Sequence, residues 1–331
     1  MTGLNPSVGR GRLAGIRLKP PALSTLIPYL YVVALAISLL LIEPELVDGP
    51  GAIDIRFAAV FPLAIVAFGQ TLAMLGRGID LSVGGIMSMT TAILATAGHF
   101  SGLGLILEVI GLIVLGMLLG TLNGALIAYT GLQPFIVTLA AWSIWDGVAL
   151  AILPVEGGSV PTGLTNAVLG SVAGIPKSVW LVAILYGLWA WLRDTRFVRD
   201  LRAMGSDESR ARLLGVRLSL RKVQVYAISG SFAAIAGVYL AAQQASGSPT
   251  AGDEFILTSV AAVVIGGTSL FGGRGSAAAS ITGAIAYLMI PDLITALNIN
   301  SFWSVFLQGF LLIVAVVVSS LATQIAARRR G

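Results

Sequence analysis

The chain has 331 residues, of which 56% are hydrophobic and only 11% are charged, and its formal net charge is +5. Soluble domains carry about 25% charged residues, so this composition, with a mean hydropathy of +0.93, indicates an integral membrane protein. Cysteine is absent and there is one histidine, which argues against disulfides, thiolate or histidine metal centres and Cys–His or Ser–His catalysis. We therefore expect no metal, no cofactor and no enzymatic activity in this chain.

Apolar segments approaching the ~20 residues of a membrane-spanning helix recur along the chain, separated by charges, prolines or glycine-rich breaks. They predict an all-α polytopic membrane protein with about ten transmembrane helices. The third and eighth segments are short. The predicted spans are residues 26–42, 57–76, 83–98, 103–128, 134–153, 177–192, 223–243, 255–269, 276–296 and 302–325.

The basic residues test this topology, because cytoplasmic loops of membrane proteins are enriched in Lys and Arg. Ten spans put both termini on one side, and this side then holds 18 of the 20 basic residues, all except Arg56 and Lys177. We expect both termini to be cytoplasmic, with tails at 1–25 and 326–331 flanking a transmembrane domain at 26–325. Because the basic residues cluster at membrane edges, no nucleic-acid partner is expected.

A basic island, residues 193–222, carries nine Arg or Lys and four Asp or Glu and cannot lie in hydrocarbon. Ser206 is suited to cap a helix whose first turn is acidic, and Gly215 is suited to end it, so a short helix is predicted near 207–214. Ala211 and Leu214 are expected to share its apolar face. The alternative is a solvated loop whose charge only sets the orientation.

Four blocks of sequence, in order, resemble the ribose-type permease family of bacterial ABC importers. They are GQTL at 69–72 with GIDLSVG at 78–84, GTLNG at 120–124 with QPFIVTL at 133–139, AMG at 203–205 with SGSFAAIAG at 229–237, and AAVVIGGTSL at 261–270 with GGRG at 272–275. Two positions depart from the family pattern, namely Arg77, where glycine is usual, and Asp146, near where many relatives carry a basic residue.

The resemblance implies an inner-membrane permease of a bacterium that transports a simple sugar or a similar small polar solute. It implies three partners: a cytoplasmic ATP-binding subunit, an outer solute-binding protein and a second permease subunit, identical or related. The basic island then corresponds to the loop that faces the ATP-binding subunit. The residues predicted for this coupling are Gly205, Asp207, Glu208, Arg210, Ala211, Leu214 and Gly215.

Polar residues in or beside the spans are the candidates for a translocation path, since weak hydrogen bonds to a hydroxylated solute suffice there. For the amides the alternative is hydrogen bonding between helices, and for Asp80 and Ser82 it is capping of the third span. Glu108 and Asp146 are carboxylates predicted within spans. The predicted path residues are Gln70, Asp80, Ser82, Asn123, Gln133 and Asp146.

The chain contains no phosphate-binding loop for ATP. Its sole Lys-Ser pair, Lys177-Ser178, follows a proline instead of the required glycine. The energy for an importer must therefore come from a partner. Two other functions are left open, a permease for branched-chain amino acids or nucleosides in the same kind of complex, and a secondary transporter that couples to protons through Glu108 or Asp146.

Overall fold

The computed structural model describes residues 23–42, 52–97, 100–297, 299 and 300, and the isolated positions 303, 306, 309, 310 and 313. This part of the chain is almost entirely helical. Its helices are α1 (Leu23–Ile42), α2 (Ala52–Leu75), α3 (Val83–Ala97), α4 (Leu103–Thr130), α5 (Pro134–Ile152), α6 (Thr162–Val168), α7 (Lys177–Leu192), α8 (Arg196–Ser206), α9 (Glu208–Leu213), α10 (Leu218–Gln244), α11 (Asp253–Ile265) and α12 (Ala277–Ala296). A hairpin of β1 (Ser171–Val172) and antiparallel β2 (Ile175–Pro176) precedes α7.

The first nine predicted spans coincide with α1 to α5, α7 and α10 to α12. The tenth, at 302–325, lies outside the described residues apart from five isolated positions, as do the tails except for residues 23–25. Helices long and apolar enough to cross a membrane are Arg56–Leu75 of α2, α4, α5, α10 and α12. The short helix α6 and the hairpin were not predicted.

Helix α2 lies at the centre of the molecule, and 94% of its apolar window is buried inside the protein. Its Phe68 packs edge-on against Trp189 of α7 and Phe232 of α10, with ring centroids 5.9 Å and 5.4 Å apart. In contrast, only 17% of the window of α4 and 22% of that of α5 are buried. These two helices therefore form the outside of the described fold, where lipid or another subunit is available to cover their apolar side chains.

Glycines bring α4 and α10 into backbone contact. Gly116 and Gly120 lie one turn apart on α4 and face Tyr226 and Gly230 of α10. A Cβ on Gly120 would collide with the Tyr226 carbonyl oxygen, and one on Gly116 would lie 2.5 Å from the Gly230 carbonyl oxygen. Small residues permit this approach, and the van der Waals contact that results is a main source of helix association in lipid.

The third and eighth predicted spans are short helices. Helix α3 has 15 residues and α11 has 13, which rise ~22 Å and ~20 Å and do not cross a hydrocarbon core of about 30 Å. Non-helical segments precede both helices. Residues 76–82 fold back along α2, where the Asp80 N–H donates to Gln70, and residues 245–252 fold back along α3, where Thr91 donates to the Ser248 carbonyl.

The starts of α3 and α11 touch each other. A Cβ on Gly84 would lie 2.9 Å from the Gly252 carbonyl oxygen, and the Gly252 N–H donates to the Ser88 hydroxyl at 3.0 Å. Non-helical backbone at this depth is tolerated because protein surrounds it and satisfies its polar groups. The predicted eighth span, 255–269, therefore ends early at Ile265, where Gly266 and Gly267 close α11.

We expect Gly120→Ala to destabilise the protein by about 1–3 kcal/mol, because the added methyl group meets the α10 backbone, which cannot move aside. The matched control is Gly111→Ala on the same helix, where nothing lies within 4 Å of the added Cβ, and its effect should stay within about 0.5 kcal/mol. The stability of both variants is measured as the fraction of protein that remains monodisperse after heating in detergent. Equal behaviour of the two variants would contradict the α4–α10 contact.

Candidate functional site

The basic island is folded, and its first half is the amphipathic helix α8. The Thr195 hydroxyl caps this helix by accepting a hydrogen bond from the Val198 N–H. Val198, Leu201 and Met204 are buried against the protein, while Arg199 on the opposite face is exposed. Helix α8 was not predicted, although a threonine followed by apolar residues at three-residue spacing is a signal for such a helix.

The second half of the island contains α9, the predicted short helix, but its cap differs from the prediction. Asp207 caps α9, since its carboxylate accepts from the Arg210 N–H at 3.0 Å. The prediction of Ser206 as the cap is wrong because Ser206 is the last residue of α8, where its hydroxyl donates to the Arg202 carbonyl. Gly215 ends α9 as predicted, with a φ of 80°.

The apolar side chains of α9 do not share one face. Ala211 is buried with 1% of its surface exposed, whereas Leu214 is 77% exposed, so their predicted common face is wrong. The reason is that Leu214 lies past the end of α9, in a non-helical conformation. Beside it Leu213 is 88% exposed. Together Leu213 and Leu214 form an apolar tip on an otherwise charged surface.

Ion pairs hold the island against α10. Arg221 donates to the Asp200 carboxylate of α8 at 2.7 Å, and these side chains are only 17% and 13% exposed. Lys222 pairs with Glu208 of α9 at 2.9 Å. Exposed pairs contribute little stability, but the sheltered Arg221–Asp200 pair restricts the position of α8 more strongly. The alternative of a solvated loop is therefore wrong.

The end of α8 also touches the central helix. A Cβ on Gly205 would collide with the Leu75 carbonyl oxygen at the end of α2. The same carbonyl accepts a hydrogen bond from the Gly273 N–H at 3.1 Å, in the turn between α11 and α12. Gly205 is thus required for close packing, and backbone-to-backbone contact joins the island to both α2 and the α11–α12 turn.

Four predicted path residues meet in one buried network. Asp80 accepts from the Ser82 hydroxyl at 2.6 Å, Asn123 donates to the same hydroxyl at 2.8 Å, and Gln70 accepts from the Asp80 N–H at 3.2 Å. All four side chains are at most 1% exposed. The network connects α2, the non-helical segment 76–82 and α4, so in this conformation these residues bond to one another and do not line an open passage.

The other two predicted path residues lie apart from this network. Gln133 is the residue before α5, at the rim of a cavity. Asp146 is partly exposed on α5, within electrostatic range of Asp253, which accepts a hydrogen bond from Trp142 at 3.0 Å. Among the described residues, the Asp146 Oδ1 has no hydrogen-bond partner. Asp253 was missed as a neighbour because it is distant from α5 in sequence, whereas Trp142 lies one helical turn before Asp146 on α5 itself.

Apolar helices that pack through glycines around a buried polar network define a polytopic membrane protein. Residues 53–316 match the family described as the branched-chain amino acid transport system / permease component. The chain therefore belongs to this family of polytopic membrane permeases.

Individual relatives are similar over most of their length. The ribose import permease protein RbsC of Haemophilus influenzae is 34% identical over 78% of this chain and 81% of its own. The protein of the same name from Escherichia coli is 33% identical over 78% and 82%. The autoinducer 2 import system permease protein LsrC of Salmonella paratyphi B is 31% identical over 80% of each chain. No solved structure matches.

We expect Asn123→Ala to destabilise the protein by about 1–3 kcal/mol, because the Ser82 hydroxyl loses a buried partner. Thr121→Ala on the same helix is the control, since its hydroxyl bonds only to the Met117 carbonyl of its own helix. Thermal unfolding in detergent measures the difference. If Asn123→Ala unfolded at the temperature of the control, the network would not contribute to the stability of the fold.

Proposed function

We propose that the chain is the permease subunit of an ABC importer for a simple sugar or a similar small polar solute. In this proposal it has ten spans with both termini in the cytoplasm, pairs with a second permease subunit, receives solute from a binding protein outside and is energised by a separate ATP-binding subunit inside. Membership of the permease family supports the proposal, as do relatives whose names are ribose and autoinducer 2 import permeases.

The observation that carries the proposal is the apolar tip of Leu213 and Leu214. These two apolar side chains are strongly exposed on an otherwise charged island, while Ala211 and the Lys222–Glu208 pair anchor α9 to the protein. An exposed apolar pair that is held rigidly and surrounded by arginines is typical of a protein contact. On the side that the basic residues assign to the cytoplasm, the expected occupant is the ATP-binding subunit.

Few contacts separate the apolar tip from the helices of the membrane domain. Helix α9 follows α8 directly, and α8 contacts the end of α2 and the α11–α12 turn through Gly205. Because these contacts are between backbones, displacement of the island is expected to move α2 and α11 together. We propose that closure of the ATP-binding subunits switches access to the path in this way.

The proposed solute contact is the partly exposed group of Asp146, Asp253 and Trp142. Carboxylates accept hydrogen bonds from sugar hydroxyls, and the indole ring offers an apolar face. The buried network of Gln70, Asp80, Ser82 and Asn123 then serves mainly to position α2 against α4. It reaches the path only if the helices separate during transport.

The test of the function is uptake of labelled ribose by the complex in vesicles with binding protein and internal ATP. Asp146→Asn should lower this uptake about tenfold, because a charged acceptor for the solute is lost. Glu108→Gln, which changes another carboxyl without a hydrogen-bond partner among the described residues, is the matched control and should stay within about twofold. Uptake by the chain alone, driven by a pH gradient without ATP, would establish the proton-coupled alternative instead.

Replacing both Leu213 and Leu214 by serine should weaken binding of the ATP-binding subunit about tenfold, since the apolar contact is lost. The fold should be retained, because both side chains are exposed. Val155→Ser, at a position with 74% exposure in the α5–α6 connection, is the control. Co-purification of the ATP-binding subunit with the tagged permease measures the effect, and undiminished co-purification of the double variant contradicts the docking role.

A further inference from the structure

A cavity of about 270 Å³ lies where α2 and α4 end and where α5 and α10 begin. It is bounded by the turns after α2 and α4 and by the first residues of α9. Its polar lining comes from four segments that are distant in sequence, so only the tertiary structure brings them together. The side chains that decide its chemistry are Arg77, Gln133, Glu208 and Lys222.

Arg77 is the cation of this cavity that has no partner. Its side chain is exposed, and within the described part of the chain it forms no ion pair or hydrogen bond. Lys222, in contrast, is neutralised by Glu208 at 2.9 Å. The charged side chains of the cavity therefore sum to one unpaired positive charge, located on a guanidinium group that is suited to bidentate binding of an oxyanion.

The backbone of Arg77 is in a conformation that disfavours any side chain. Its φ is 67°, and its N–H and that of Gly78 close α2 by donating to the carbonyls of Met74 and Ala73 at 3.0 Å and 2.9 Å. In the equivalent closing position of α11, Gly267 has a φ of 80° without this cost. A strained non-glycine residue at such a position suggests that the side chain has a function.

Two further features of the lining favour an anion. Helix α5 begins at the cavity with Pro134, and no side chain caps its N-terminus, so the positive end of its dipole is available. At the end of α2, the Met74 and Ala73 carbonyls already accept hydrogen bonds from the backbone N–H groups of Arg77 and Gly78. They therefore repel a nearby anion less than free carbonyls would. Ile127 and Val225 provide an apolar wall beside the charged groups.

We propose that this cavity binds a phosphate group, with the Arg77 guanidinium as its principal contact. The volume is smaller than that of a site for a drug-sized ligand and suits a phosphate with a small polar head. In a membrane protein the headgroup of an anionic phospholipid is one source of that phosphate, and a free phosphate ion in the water outside the membrane is the other. The site is independent of the transported solute.

The test uses the full-length protein in detergent and follows its unfolding temperature with added lipid or salt. Phosphatidylglycerol should raise this temperature by about 5 °C in the unmodified protein and by less than about 1 °C in Arg77→Gly, while neutral phosphatidylcholine has no effect on either. Without lipid, Arg77→Gly should unfold about 2 °C higher, because glycine relieves the backbone strain. A variant that is more stable without lipid but no longer responds to phosphatidylglycerol has lost the ligand site and is not misfolded.

Two further variants sharpen the result. Arg199→Ala removes an exposed arginine of α8 that lies outside the cavity, and its lipid response should equal that of the unmodified protein. Arg77→Lys keeps the charge and should retain part of the response. A response to inorganic phosphate equal to that of the lipid identifies the free ion as the ligand. If Arg77→Gly responded to phosphatidylglycerol as the unmodified protein does, or if neither responded, the proposal would be overturned.

Discussion

The fold depends on one constraint, which is that non-helical backbone inside a membrane protein must find its hydrogen bonds within the protein. The segments 76–82 and 245–252 meet this constraint by folding back along α2 and α3, respectively. Glycines at 84 and 252 allow the starts of α3 and α11 to touch. The two short helices can therefore start beside each other within the fold.

The buried network follows from the same constraint. Asp80 and Ser82 belong to a non-helical segment that must be held in place, and Gln70 and Asn123 supply the bonds from α2 and α4. Such a network disfavours arrangements that break its hydrogen bonds, because a buried polar atom that loses its partner carries the full cost of desolvation. It therefore specifies one geometry for the centre of the permease.

The island shows how a charged surface is coupled to an apolar core. Its arginines keep it outside the hydrocarbon, yet the buried face of α8 and the close approach of Gly205 to Leu75 attach it directly to the central helix. The proposed coupling to an ATP-binding subunit requires this combination. The surface must be recognisable from the water and also rigid enough to move the helices behind it.

The sequence by itself determined the membrane class, nine of the helices, the short helix after Asp207 and its end at Gly215, because apolar length, charge and glycine conformation are local properties. It also identified the family through motifs that the comparison confirmed. Only the tertiary structure decided that the starts of α3 and α11 touch, that Ser206 ends one helix instead of capping the next, and that Leu214 is exposed while Ala211 is buried. Those outcomes depend on which backbones approach one another across the molecule, and no local pattern in the chain contains that information.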